Sequence, residues 1–208
     1  MDYHEKYGLD FNPFLKNSTD LLVENSGVSE VNFRLEKLLR TKGFGVLTGA
    51  SGRGKTTVLR HWAKGLNPSA YKVIYTALST LTVTEFYKQL ATLLGLEARS
   101  RKTDTFKLIQ NEINRISIEK RITPVIIIDE ANYISNSVLN DLKMMFNFDM
   151  DKEDRAVVLL TGLPQLNNTL RLVANEPLRQ RVTMNYHLDH LSKKEAKHYI
   201  LERLKAAR

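Results

Sequence analysis

Apolar residues along this chain switch between two spacings, one that suits a helix with a buried face and one that suits a strand buried on both sides. In SEVNFRLEKLLRTK (29–42), Val31, Leu35, Leu38 and Leu39 recur at helical intervals, which predicts a helix. GFGVLTG then reads as a short buried strand. TTVLRHWAK predicts a second helix, stopped by Gly65 and by Pro68 shortly after. KVIYTA (72–77) is a second strand. Thr82 and Glu85 form a capping box that opens the helix VTEFYKQLATLLG. Phe106, Ile109, Ile113 and Ile116 share one face of a further helix, and Pro124 admits the strand VIIID. SVLNDLKMMFNF (137–148) returns to helical spacing, with Met144, Met145 and Phe146 expected in the core. AVVLLTG (156–162) is another apolar strand. After VTMNYHL, Ser192 and Glu195 make a second capping box, opening a helix expected to run on to Arg208.

Strands alternating with helices predict an α/β fold, a three-layer sandwich with a parallel sheet covered on both faces. The expected organisation is an N-terminal segment (1–28), an α/β core (29–188) and the start of a truncated helical lid (189–208). Charge adds a partner class. The formal net charge is +8, from 31 Lys and Arg against 23 Asp and Glu. That excess favours polyanions, because Lys and Arg release counterions from a phosphate backbone. The chain has no Cys, so it carries no disulfide and no thiolate metal site, which fits a reducing cytoplasm. The start MDYHEKYG lacks the apolar region of a secretory signal. The central run VIII is too short to span a bilayer, so no membrane span is expected in this chain.

Chemistry concentrates in two places. Gly49-Ala50-Ser51-Gly52-Arg53-Gly54-Lys55-Thr56 matches G-x-x-x-x-G-K-[ST] between a strand and a helix, as a phosphate-binding P-loop requires. Its backbone N–H groups, with Thr57 beginning the helix, would cradle phosphates where the helix dipole favours anions. Lys55 would reach the β- and γ-phosphates, and the Thr56 hydroxyl would hold Mg²⁺. The strand Val125–Ile128 then delivers Asp129 and Glu130 at the carboxyl edge of the sheet, where parallel sheets bind ligands. Asp129 would orient Mg²⁺ through water, and Glu130 would polarise the attacking water. An Asp-Glu pair argues for hydrolysis, and the absence of an Asn-Lys-x-Asp signature favours ATP over GTP. Thr161, ending the strand AVVLLT, could place a hydroxyl near the γ-phosphate. Arg179 and Arg181 in PLRQRV are candidates for an arginine supplied to a neighbour's nucleotide, a contribution worth ~10³–10⁵ in rate. His187 and His190 have H-x-x-H spacing but no third ligand nearby, so metal binding is not expected.

With these motifs in place, the chain resembles the AAA+ ATPases of the ExeA/GspA-like group, with transposition helper ATPases of the TniB, TnsC and MuB type as more distant relatives. The resemblance rests on five segments in order: YGLDFNPF (7–14), FGVLTGASGRGKTTVLR, IIIDEANYIS, LLTGLPQL and PLRQRVTMNYHLDHLSKKEAKHYILERL. It implies that the N-terminal segment (1–28) borders the nucleotide, with Phe11, Pro13 and Phe14 at the adenine, that Thr161 is the sensor residue, and that Arg181 is the arginine finger. Leu163 stands where the group has Gln. The function implied is an ATPase that hydrolyses ATP with Mg²⁺ at subunit interfaces of a homo-oligomer, ring or filament. It would assemble on double-stranded DNA as a transposition helper with a transposase or other partner. The rivals are a secretion-pathway ATPase of the ExeA type and a weakly hydrolysing ATP-dependent scaffold. GLEARSRKTD (95–104), with Arg99, Arg101 and Lys102 on a loop between helices, is the expected DNA contact.

Overall fold

A strand buried on both faces must be apolar throughout, whereas an edge strand can alternate. That rule orders the sheet. The computed structural model describes residues 6–15, 21–77, 81–148 and 153–208. Its strands are β1 (Gly43–Thr48), β2 (Tyr71–Thr76), β3 (Thr123–Ile128), β4 (Val157–Gly162) and β5 (Val182–His187). They form one five-stranded sheet in the order β2-β3-β4-β1-β5, and every pairing is parallel. β1 and β4 are buried along their whole length, and β3 nearly so. The mixed sequences YKVIYT and VTMNYH take the two edges.

Helices cover both faces, as expected. Alternate strand residues divide between two apolar layers. Val125, Ile127, Val157 and Leu159 pack against α1 (Ser26–Thr41) and α2 (Lys55–Gly65). Ile126, Ile128, Val158 and Leu160 pack against α3 (Val83–Leu94), α4 (Lys102–Asn114) and α5 (Asn136–Met145). Two shorter helices, α6 (Gln165–Arg171) and α7 (Glu176–Arg179), join β4 to β5, and α8 (Lys193–Lys205) follows β5. Both capping boxes form as read, Thr82 with Glu85 and Ser192 with Glu195.

Three element expectations are corrected. α1 starts at Ser26 rather than Ser29, because the Asn25 side chain accepts the Val28 N–H at 3.0 Å and caps an earlier turn. α8 stops at Lys205, short of the last residue. Met145 and Phe146 are buried, but Met144 is exposed, since α5 turns it away from the sheet. Among the described residues no helix is long and apolar enough to cross a membrane.

Candidate nucleotide-binding site

The loop after β1 uses its glycines for two different reasons. At Gly49 a Cβ would lie 2.8 Å from the Leu188 carbonyl oxygen, so only glycine lets the segment after β5 approach this closely. Gly54, by contrast, stands in open space but has φ 85, a left-handed conformation that starts α2. As N-cap it offers no side-chain acceptor, and α2 carries no acid in its first turn. The first-turn N–H groups are thereby left to an anion. Lys55 is buried, and its ammonium donates to the carbonyls of Gly49 (2.8 Å) and Ala50 (3.1 Å). Two of its three N–H donors therefore fix the lysine against the loop itself.

The second carboxylate centre meets this loop directly. Residues 125, 127 and 129 share the sheet face of α2, so Asp129 emerges beside Thr56. The Thr56 hydroxyl donates to Asp129 Oδ2 at 2.9 Å, and the Glu130 N–H donates to Oδ1 at 2.9 Å. A third donor was not anticipated: the Tyr75 hydroxyl, also 2.9 Å from Oδ2. Burial, then the Asp129 charge, pushes the Tyr75 phenol up to about 12. A threonine hydroxyl and a buried carboxylate converging at a helix N-terminus are hard oxygen donors of the kind Mg²⁺ takes. The donor set thus fits that ion. Glu130 follows with its side chain exposed and its backbone in the left-handed region, φ 54.

Thr161 is fully buried on the same sheet face, and its hydroxyl has no hydrogen-bond partner among the described residues. Native structures rarely leave such a group unexplained outside functional sites. The next residue, Gly162, admits no side chain, because a Cβ there would collide with Asn132. The Asn132 side-chain oxygen accepts the Leu163 N–H at 2.9 Å. Asn132, missed in the sequence, therefore fastens the end of β4 to the loop after β3. Leu163 takes part through its backbone, which makes its departure from Gln immaterial to this contact.

A cavity of about 880 Å³ opens beside the loop, lined by Gly52, Arg53, Gly54, Thr56 and Thr57. Its far walls are Leu21–Val23, Asn25–Val28, Tyr186, Leu188 and residues of α8, including Tyr199 and Arg203. Phe11, Pro13 and Phe14 do not line it. The Asp10 N–H instead reaches the Ala207 carbonyl at 2.7 Å, which holds this segment against the end of α8. Arg181 sits in a network within its own chain. Its guanidinium donates to the carbonyls of Lys143 (3.0 Å) and Phe146 (2.9 Å) and pairs with Asp154 (3.0 Å). With its side chain only 12% exposed, it ties β5 to α5 rather than reaching outward, whereas Arg179 is 45% exposed. Of the basic loop, Arg99 and Arg101 are exposed as expected. Lys102 opens α4 and pairs with the buried Asp141 at 2.6 Å. His187 meets the Thr48 hydroxyl at 3.1 Å.

A parallel sandwich whose inner strand feeds this loop defines the P-loop nucleoside-triphosphatase fold. The chain belongs to the AAA domain family, which its residues 38–170 match. It is 31% identical over 168 residues to General secretion pathway protein A of Aeromonas hydrophila, spanning 79% of this chain and 30% of that protein. Among solved structures it is similar in fold to Cdc6p from Pyrobaculum aerophilum, with TM-score 0.69, 16% identity, and coverage of 92% of this chain and 52% of that one. The Aeropyrum pernix ORC1 protein in complex with DNA gives TM-score 0.66 at 15% identity, covering 93% and 52%. The chain thus spans less than a third of the curated relative and about half of these structures.

Proposed function

We propose that the chain binds ATP with Mg²⁺ and hydrolyses it, acting as a nucleotide-driven switch. The observation that carries this reading is the hydrogen bond from Thr56 to Asp129, which joins the phosphate loop to a carboxylate with an exposed Glu130 next in the chain. Lys55 and the first-turn N–H groups of α2 would bind the phosphates. Thr56 and Asp129 would hold Mg²⁺, which when bound neutralises charge on the transferring phosphoryl group. Glu130 orients and polarises the attacking water. Thr161 offers its unpartnered hydroxyl to the same region.

Hydrolysis in this reading takes place between copies of a homo-oligomer, with Arg179 in the role first given to Arg181. The identity to General secretion pathway protein A favours the role of a secretion-pathway ATPase domain working in the cytoplasm, where ATP is supplied. A DNA-assembling role, of which a transposition helper is one form, is supported by the net charge of +8 and the exposed Arg99 and Arg101.

Lys55→Ala should abolish ATP binding, measured by titration with a fluorescent ATP analogue. Glu130→Gln should bind as wild type and lose ~10²–10⁴ in turnover, the usual worth of a positioned general base. Equal turnover in wild type and Glu130→Gln would remove the catalytic assignment. Duplex binding separates the two roles: for a DNA-binding loop, Arg99→Ala with Arg101→Ala should lower the salt slope by ~0.9 for each phosphate no longer neutralised. A wild type that binds no duplex with ATP present leaves the secretion-type role.

A further inference from the structure

Asp129 Oδ2 serves two side-chain donors at once. Thr56 donates its hydroxyl proton to Oδ2, which leaves the lone pairs of the same oxygen for a divalent cation. The direction of the carboxylate therefore governs where that oxygen points, and an anchor from outside the loop would fix it. Tyr75 supplies one. It lies on β2, next to β3 in the sheet, where Tyr75 is in register with Ile127 and the Asp129 N–H reaches the Thr76 carbonyl at 2.8 Å. Its side chain therefore stands on the face of α2, beside Asp129, and its phenol donates to Oδ2 at 2.9 Å. The Glu130 N–H, on Oδ1, is a local bond from the next residue, so the phenol is the donor that reaches the carboxylate from a neighbouring strand.

We propose that Tyr75 is a positioning residue for the cation of the nucleotide complex: it fixes the direction of the Asp129 carboxylate, on which the Thr56 hydroxyl and a bound cation would both depend. This rests on the nucleotide reading above. Outer partners of metal-binding groups typically change metal affinity ~10- to 100-fold when removed. Phenol geometry makes the role specific, because Phe at this position keeps the ring and loses one hydrogen bond. The ring itself lines a separate apolar groove of about 410 Å³ with Leu59, Ala63, Val73 and Ile127, so its packing survives the substitution.

The test is binding of methylanthraniloyl-ATP to wild type, Tyr75→Phe, Asp129→Asn and the double variant, each titrated with MgCl₂ and each repeated in EDTA. Tyr75→Phe should raise the half-saturating Mg²⁺ concentration ~10-fold and leave the affinity in EDTA unchanged. In the Asp129→Asn background the same change should have no further effect, since the phenol acts through that carboxylate. Equal Mg²⁺ dependence in wild type and Tyr75→Phe would overturn the proposal while leaving the nucleotide reading intact. So would an equal loss in EDTA and Mg²⁺, which marks a merely structural role. Failure of wild type to bind the analogue with Mg²⁺ would overturn both.

Discussion

Glu130 carries its carboxylate on a left-handed backbone, φ 54, that costs an L-residue roughly 1–2 kcal/mol. Glu130→Gly should therefore gain about 1 kcal/mol in denaturant unfolding while losing turnover, because glycine adopts this conformation freely and has no carboxylate. A variant no more stable than wild type would show that the turn is unstrained. Arg181 gives the converse case. Arg181→Ala leaves two buried-side carbonyls and Asp154 without their donor, so it should cost about 2 kcal/mol of stability. Arg179→Ala should cut turnover with stability unchanged, and a turnover loss confined to Arg181→Ala would reverse the two roles. PLRQRV puts both arginines in one short window, and in the sequence only the family resemblance favours Arg181 over Arg179. The partners that hold Arg181, namely Lys143, Phe146 and Asp154, come from elsewhere in the chain. Tyr75 was hidden for a related reason: within KVIYTA it reads as an ordinary strand aromatic, and only the pairing of β2 with β3 brings it to Asp129.

Between elements, the clearest electrostatic contact joins α8 to α1. Glu195 closes its own capping box with Ser192, and its other oxygen accepts the Ser26 N–H (3.0 Å) and hydroxyl (2.6 Å). These bonds, those from the Ser192 hydroxyl and then the Ser26 hydroxyl foremost, hold its carboxyl down to about 2. A folded-state value below the ordinary one stabilises the protein fully above the ordinary carboxylate range. That stabilisation is lost as pH falls through the folded value. The Tm difference between wild type and Glu195→Gln should accordingly be constant near neutrality and shrink as pH drops from about 4.5 toward about 2. A difference unchanged across that window would show that Glu195 does not link the helices. Elements with several turns of one spacing, or with a capping box, were legible. The connection from β4 to β5 was not, because α6, α7 and the intervening turn are too short to display a period. The cavity wall from Leu21 to Val28 falls within the segment read as bordering the nucleotide, but no motif singled out its residues, since their role comes from facing α8.

At the scale of the whole molecule, the phosphate loop depends on strands that come late. β1 pairs with β4, beginning at Gly43 opposite Val157, and on its other side with β5. The loop is pinned the same way: the Gly49 N–H reaches the Gly162 carbonyl at 3.2 Å, and the Leu188 N–H reaches the Thr48 carbonyl at 2.7 Å. Parallel pairings this far apart in sequence fold slowly, on the order of milliseconds to seconds. A fragment ending at residue 148 should accordingly fail to bind methylanthraniloyl-ATP despite holding Lys55, Thr56, Asp129 and Glu130. Binding by that fragment would show that the loop needs neither neighbour. The same dependence governs synthesis on the ribosome. The motif-bearing part of the chain emerges first, with β2 and β3 but without the two strands that flank β1, so nucleotide should become a ligand only after β4 and β5 have left the exit tunnel.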